Sequence, residues 1–177
     1  MPAVVIRPET EEDHEAIASV VERAFGSPAE ARLVEAIRAS PEYIAELALV
    51  AVADGRVVGH VMISRCRLVD GEVEHGIVML SPLAVDPSQQ DRGIGGALVR
   101  AACERADELG EPLVVLEGDP RYYSRFGFRA AAEHGITLPL PEWAPPAAAQ
   151  VLGLSHDDPH LRGAVVYPVS FDVLGEA

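Results

Sequence analysis

The chain has 177 residues, 49% of them hydrophobic, and a formal net charge of −14. That length predicts one domain over residues 1–177 with a sizeable core, and no apolar run approaches the ~18 to 20 residues of a membrane span. An acidic balance without a visible basic cluster speaks against duplex nucleic acid as a partner. Cys66 and Cys103 fit no metal spacing and are expected as buried reduced thiols. Met1 to Arg7 carries no export-signal pattern, so a cytoplasmic protein is expected.

Ala3 to Arg7 reads as a short strand. Thr10, with Asp13 three residues on, is the N-cap candidate of a helix whose apolar stripe is Ile17, Val20, Val21 and Ala24. Pro28 opens a second helix with Leu33, Val34 and Ile37 inward. Two β-rich runs flank Asp54-Gly55, the strongest short hairpin signal, and a turn at Asp70-Gly71 leads to the apolar run Gly76 to Val85. From Gly93 the period becomes helical, with Ile94, Leu98, Ala102, Ala106 and Leu109 on one face and Gly110 as terminator. "LVVLEG" is a short buried strand, "DPRYYSRF" a short helix with Pro120 in its first turn, and Gly127 a break. Gly135 to Leu140 and Gly163 to Tyr167 read as strands on either side of the Pro-rich "LPEWAPPAAA", which reads as a loop. This order predicts an α/β protein whose sheet is parallel across the helix Ile94 to Leu109 and antiparallel at its hairpins.

The stretch "QQDRGIGGALVR" puts three glycines at a strand-to-helix turn. A dinucleotide fingerprint needs a glycine where Leu98 stands, which argues against an oxidoreductase. A Walker loop needs a lysine, and all fourteen basic residues here are arginine. What remains is Gln90-Asp91-Arg92-Gly93-Ile94-Gly95-Gly96, whose amide groups and helix dipole suit a diphosphate, with Arg92 able to add a charge. The alternative is a turn that only lets helix and strand pack closely.

The loop resembles the Q/R-x-x-G-x-G/A signature of the GNAT superfamily of N-acetyltransferases. "YYSRFGF", one helix and one strand downstream, is similar to the aromatic-Tyr-x-x-x-Gly-Phe element of that superfamily, and "SPLAVDP", "GDPRYYSRFGFR" and "GAVVYPVSFD" are similar to its YhbS-like branch. The resemblance implies a mixed central sheet with a splayed parallel strand pair, flanked by helices on both faces. It implies that Gln90 to Gly96 hold the diphosphate of acetyl-CoA, and that Leu83, Ala84 and Val85 lie along the pantetheine, with a backbone N–H near Leu83 for the carbonyl oxygen. Pro82 fits independently, because proline in a strand marks a bulge or an unpaired edge; it equally fits an early strand end.

The resemblance further implies that Tyr123 protonates the leaving thiolate, a transfer uphill by roughly 1.5 pKa units. Packing is the other reading of Tyr123, and Tyr122 is expected against Phe126, four residues on. Many relatives carry a glutamate where Met79 stands, and methionine takes no proton. Glu117, Asp119 and His75 are the other candidates for the base. Asp119 equally serves as an N-cap, Glu117 as a solvated strand end, and a water relay needs no single base. The acceptor is expected to be a small-molecule or protein amine, with no nucleic acid, membrane or metal, on a monomer or homodimer. His156 and His160 flank Pro159 in a polar loop, and Trp143 either covers the acceptor or anchors a loop. A non-catalytic acyl-CoA-binding or sensing module is the rival, supported by Met79 and opposed by Tyr123.

Overall fold

The computed structural model describes residues 3–175. Strand β1 is Val4–Pro8, helices α1 and α2 are His14–Phe25 and Ala29–Arg38, and strands β2, β3 and β4 are Ala48–Ala53, Arg56–Asp70 and Val73–Val85. Helix α3 is Ile94–Glu108, β5 is Leu113–Glu117, α4 is Pro120–Tyr123, and β6 to β9 are Arg129–Ala130, Ile136–Thr137, Ala149–Gly153 and Gly163–Val166. The hydrogen-bonded order is β1-β2-β3-β4-β5-β8-β6, with β9 on β3 and β7 on β9. The chain divides into two compact units, and β3, β4 and α3 contribute residues to both.

The first unit gathers the residues up to Ser64, Ser81–Arg105 and the stretch from Val169. Strands β1, β2 and β3 pair antiparallel in it, with Ile6 opposite Ala51 and Val50 opposite His60. Helix α1 begins as its residues dictate. Asp13 accepts the Thr10 N–H at 2.8 Å and the Arg7 guanidinium at 2.7 and 3.0 Å, and Ile17, Val20 and Val21 are buried. In α2 the buried face includes Leu33, Val34 and Ile37. Successive β3 residues show why helices cover both faces, since side chains alternate along a strand. The Gly59 backbone lies against Ile94 and Leu98 of α3, whereas His60 reaches Glu9, which is paired with Arg38 of α2.

The second unit comprises Arg65–Leu80 and Ala106–Pro168. Its β4 and β5 segments are parallel, with Val78 opposite Val114 and Met79 opposite Val115. That register stops there, although β4 continues to Val85 and β5 to Glu117. The pair therefore parts just past Met79. On its other side β5 is fully laddered to antiparallel β8, from Leu113 opposite Gly153 to Glu117 opposite Ala149. Strand β9 runs antiparallel to β3, with Arg67 opposite Val166.

Several sequence expectations need correction. Leu109 does not join the buried face of α3: the helix ends at Glu108, Gly110 turns left-handed with φ +84°, and Leu109 is 48% exposed. The predicted strand Gly135 to Leu140 shrinks to Ile136–Thr137, because Gly135 ends a 3-10 turn. The Pro-rich loop ends earlier than its composition suggests, since Ala149 already belongs to β8. Cys66 and Cys103 are buried free thiols, and burial pushes both up to about 12.

Candidate active site

Strand β4 passes through a cis Ser81–Pro82 bond without ending. Pro82 is buried, as is Ala84, while Leu83 and Val85 are half-buried. All four stand beyond the last pair that β4 makes with β5, so the proline falls where the parallel ladder makes no demand for its missing N–H. The chain leaves β4 at Asp86, whose N–H donates to the Val58 carbonyl at 2.8 Å. The Asp86 carboxylate caps the next turn by accepting the Ser88 N–H at 3.0 Å and pairs with Arg23, which holds its pKa below the usual range.

The glycine loop follows. Gln90 donates to the Val85 carbonyl at 3.1 Å, closing the loop onto the end of β4. Asp91 and Gly93 both take positive φ, +63° and +81°. A β-carbon at Gly93 would meet open space, so that glycine answers a conformational need rather than a crowded one. The first intrahelical bond of α3 runs from the Ala97 N–H to the Gly93 carbonyl at 3.1 Å. The amides of Ile94, Gly95 and Gly96 precede it, at the positive end of the helix dipole. Close packing fixes where those amides stand. An added β-carbon at Gly59 would come within 2.9 Å of Leu98 and 3.3 Å of Ile94, so α3 rests directly on the β3 backbone. The close approach of α3 to β3 is thus made at Gly59, not at the glycine of the turn that opens the helix. Arg23, Arg56 and Arg92, with Asp54 and Asp86, line a cavity of about 350 Å³ in the same unit, a cationic corner in an acidic protein.

In the second unit the candidate proton-transfer groups follow β5. Glu117 is its last residue and is exposed. Asp119 caps α4, accepting the Arg121 N–H at 2.9 Å; that bond and the Arg121 side chain hold its pKa below the usual range. Tyr123 ends α4 with its ring laid against the Gly118 backbone, where an added β-carbon would sit 2.5 Å from its Cε2. Its ring also meets Tyr122 edge-on at 4.9 Å and Phe128 at 5.8 Å. Tyr122 packs on Phe126 at 5.3 Å, at the expected i,i+4 spacing. Met79 is buried and His75 lies four residues before it, half-buried.

Further residues border this end of β5. Gly118 provides the seat for the Tyr123 ring. Gln150 of β8 donates to the Gly118 carbonyl at 3.0 Å. Tyr167, just past β9, has a buried hydroxyl oxygen, and burial first and the Glu117 carboxylate second raise the phenol far above its usual pKa. Gly118 and Tyr167 fall within "GDPRYYSRFGFR" and "GAVVYPVSFD", which mark neither neighbour, and Gln150 lies outside every motif. His156 and His160 lie exposed in the loop after β8, and Trp143 is 83% exposed. Among the described residues no three His, Cys, Asp or Glu gather as metal ligands would, and no helix is long and apolar enough to cross a membrane.

A mixed sheet whose parallel pair β4–β5 parts midway, helices on both faces, and a glycine turn between the first of those strands and its crossover helix define the N-acyltransferase class of α/β folds. The comparisons agree. Residues 5–131, which run through both units, match the model of the acetyltransferase (GNAT) domain. The N-acetyltransferase YhbS of Escherichia coli (strain K12) is 36% identical over 139 residues, 78% of this chain and 81% of that protein. The crystal structure of E. coli YhbS in complex with CoA superposes with a TM-score of 0.87 at 33% identity, covering 97% of this chain and 93% of the other. A GNAT family acetyltransferase from Brucella melitensis in complex with acetyl-CoA gives 0.78 at 33% identity, covering 97% and 100%. The chain belongs to the GNAT family and is an N-acetyltransferase.

Proposed function

We propose that the protein moves an acetyl group from acetyl-CoA to an amine, small or protein-borne, by direct attack with both substrates bound. The observation that carries this is the turn Gln90 to Gly96, whose two positive-φ corners deliver three leading amides of α3. The donor set fits the coenzyme: glycines at 93, 95 and 96 present no side chain to an approaching diphosphate, and Arg92 adds charge. Its two relatives of known structure named above are complexed with CoA and acetyl-CoA. Leu83, Ala84 and Val85, beyond the β5 ladder, offer backbone to the pantetheine arm.

Bound acetyl-CoA supplies the thioester. The remaining steps belong to this chain. A backbone N–H near Leu83 donates to the carbonyl oxygen as negative charge develops there. Glu117 takes one proton from the neutral amine as the C–N bond forms, a cationic amine having first given its extra proton to solvent. Tyr123 gives its phenolic proton to the sulfur as the C–S bond breaks. Solvent then returns a proton to Tyr123 and removes one from Glu117, leaving the acetylated amine and free thiol. Asp119 serves as the cap that orients α4 and hence Tyr123, not as the base. The acidic surface favours a cationic amine.

The test is thiol release from acetyl-CoA over a panel of amines. With the accepted amine, Tyr123→Phe lowers kcat on the order of 100-fold while KM for acetyl-CoA stays within about twofold. Equal rates would overturn the acid role of Tyr123, and absence of thiol release with every amine would overturn the proposed reaction.

A further inference from the structure

We propose that the cavity bounded by Arg23, Arg56 and Arg92 is a second anion subsite, built for a phosphomonoester: the 3′-phosphate on the ribose of the coenzyme whose diphosphate the glycine turn holds. The proposal rests on the acetyl-CoA reading above and adds residues outside the Gln90 to Gly96 turn.

The cavity, of about 350 Å³, lies wholly within the first unit. Three stretches of chain wall it: the last turns of α1, which carry Arg23, the hairpin between β2 and β3, which carries Asp54 and Arg56, and the turn after β4, which carries Asp86 and Arg92. Two bonds tie these stretches together. The Asp86 N–H donates to the Val58 carbonyl at 2.8 Å, joining the end of β4 to the start of β3, and Arg23 pairs with the Asp86 carboxylate, joining α1 to the same point. The hairpin itself turns on two positive-φ residues, Asp54 at +51° and Gly55 at +73°, so Arg56 enters β3 from a defined position. The frame is therefore in place without a ligand.

Charge decides what such a frame can take. Arg7, Arg38, Arg65 and Arg67 each pair with a carboxylate elsewhere in this acidic chain. Arg23 is likewise neutralised by Asp86, whose carboxylate also accepts the Ser88 N–H at 3.0 Å and hydroxyl at 2.8 Å. Arg56 and Arg92 differ. Among the described residues neither has a carboxylate within salt-bridge distance, and Arg92 donates to the neutral side-chain oxygen of Gln89 at 3.3 Å. Three arginines against two aspartates leave the wall one positive charge in a chain of net charge −14. A larger cavity of about 600 Å³ in the second unit gives the contrast, since its arginine, Arg129, already meets Glu133 at 3.4 Å. A phosphomonoester carries about two negative charges at neutral pH, and the guanidinium fork matches its oxygens in pairs. Arg92 selects the source of that phosphate. It belongs both to this wall and to the turn assigned to the diphosphate, and coenzyme A carries its third phosphate one ribose away from the other two.

Calorimetric titration of the full chain with CoA and with 3′-dephospho-CoA, at low salt, tests the subsite. The wild type is expected to bind CoA about tenfold tighter than the dephospho form, a difference that added salt narrows. Arg56→Gln lies outside the glycine turn and breaks no ion pair. It is expected to lower CoA affinity about fivefold or more, with dephospho-CoA affinity held within about twofold and the melting temperature unchanged. Asp54→Asn keeps a residue suited to a positive φ while removing the opposing charge, so the effect reverses: CoA binds tighter and dephospho-CoA does not. Overturning results are equal wild-type affinities for the two ligands, unchanged CoA affinity in Arg56→Gln, equal losses for both ligands in that variant, or CoA binding that does not tighten in Asp54→Asn. Each of these removes the subsite and leaves the glycine turn as the coenzyme's anchor. A wild type that binds neither ligand overturns the coenzyme reading itself.

Discussion

Tyr123 is positioned by a residue with no side chain. Its ring occupies the space a β-carbon on Gly118 would need, 2.5 Å from Cε2 and 2.9 Å from Cδ2, and aromatic edges close around it. A methyl group there cannot be accommodated by a flexible chain end, because the obstructing atoms belong to a rigid ring. Gly118→Ala therefore swings the phenol aside. Displacements of about 1 Å in a reacting group can cost on the order of 100-fold, so kcat should fall at least tenfold with KM for acetyl-CoA nearly unchanged. Steady-state kinetics check this, and wild-type kcat in Gly118→Ala would show that the ring's seat is irrelevant to turnover. At this scale the sequence was legible where a residue acts through its neighbours in the chain. Asp119 as a cap and Tyr122 against Phe126 both follow from spacing. Gly118 under Tyr123 and Gln150 on the Gly118 carbonyl were not legible, because a ring folding back on the strand and a partner some thirty residues away leave no periodic trace.

Helix α3 carries the glycine turn, and its height above the sheet is set at Gly59. A β-carbon there meets Leu98 Cδ1 at 2.9 Å, the Ala84 carbonyl oxygen at 3.3 Å and Ile94 Cγ2 at 3.3 Å. Leu98 can rotate away from a single methyl, but the backbone oxygen cannot, and a branched side chain collides with all three. Gly59→Val is thus expected to lift the first turn of α3, at an overpacking cost of about 1 to 3 kcal/mol. Calorimetric titration with CoA should then show affinity reduced about tenfold or more; unchanged affinity with a lowered melting temperature would uncouple helix seating from the anion site. Elements with a long amphipathic or turn-bounded pattern were readable in advance, as in α1, α2, α3 and the hairpin at Asp54-Gly55. Strands β6 and β8 were not. Residues 129–130 are too few to show alternation, and "AQVLG" adjoins a Pro/Ala run whose composition masks it. Both depend on β5, which β8 borders directly and β6 only through β8, so their pairing is a tertiary fact.

For the molecule as a whole, acid is the condition most able to undo the fold, for a reason independent of its net charge of −14. Glu9, its side chain 1% exposed, accepts bonds from Arg38 at 2.9 and 3.1 Å and Tyr43 at 2.8 Å, and meets His60 Nε2 at 3.1 Å. Burial alone would raise its pKa, but the hydrogen bonds from His60, Arg38 and Tyr43 outweigh that and bring it far below 4.5. His60 is wholly buried, and burial lowers its pKa below 6.5 against the opposing pull of Glu9. Asp13, paired with Arg7, is lowered from 3.8 to about 2. In each case the unfolded chain binds a proton at a higher pH than the folded one, so stability is present above the unfolded value and is lost as pH falls. The loss should start below about pH 6.5 through His60 and steepen below about 4.5 through Glu9 and Asp13. Melting temperatures from pH 8 to pH 4 check this against His60→Gln, which keeps a side-chain donor in reach of Glu9 but no titratable ring. The variant should melt lower than the wild type at pH 8, with a flatter decline between about pH 7 and 5. Parallel declines in the two proteins would mean that groups other than His60 govern the acid limb.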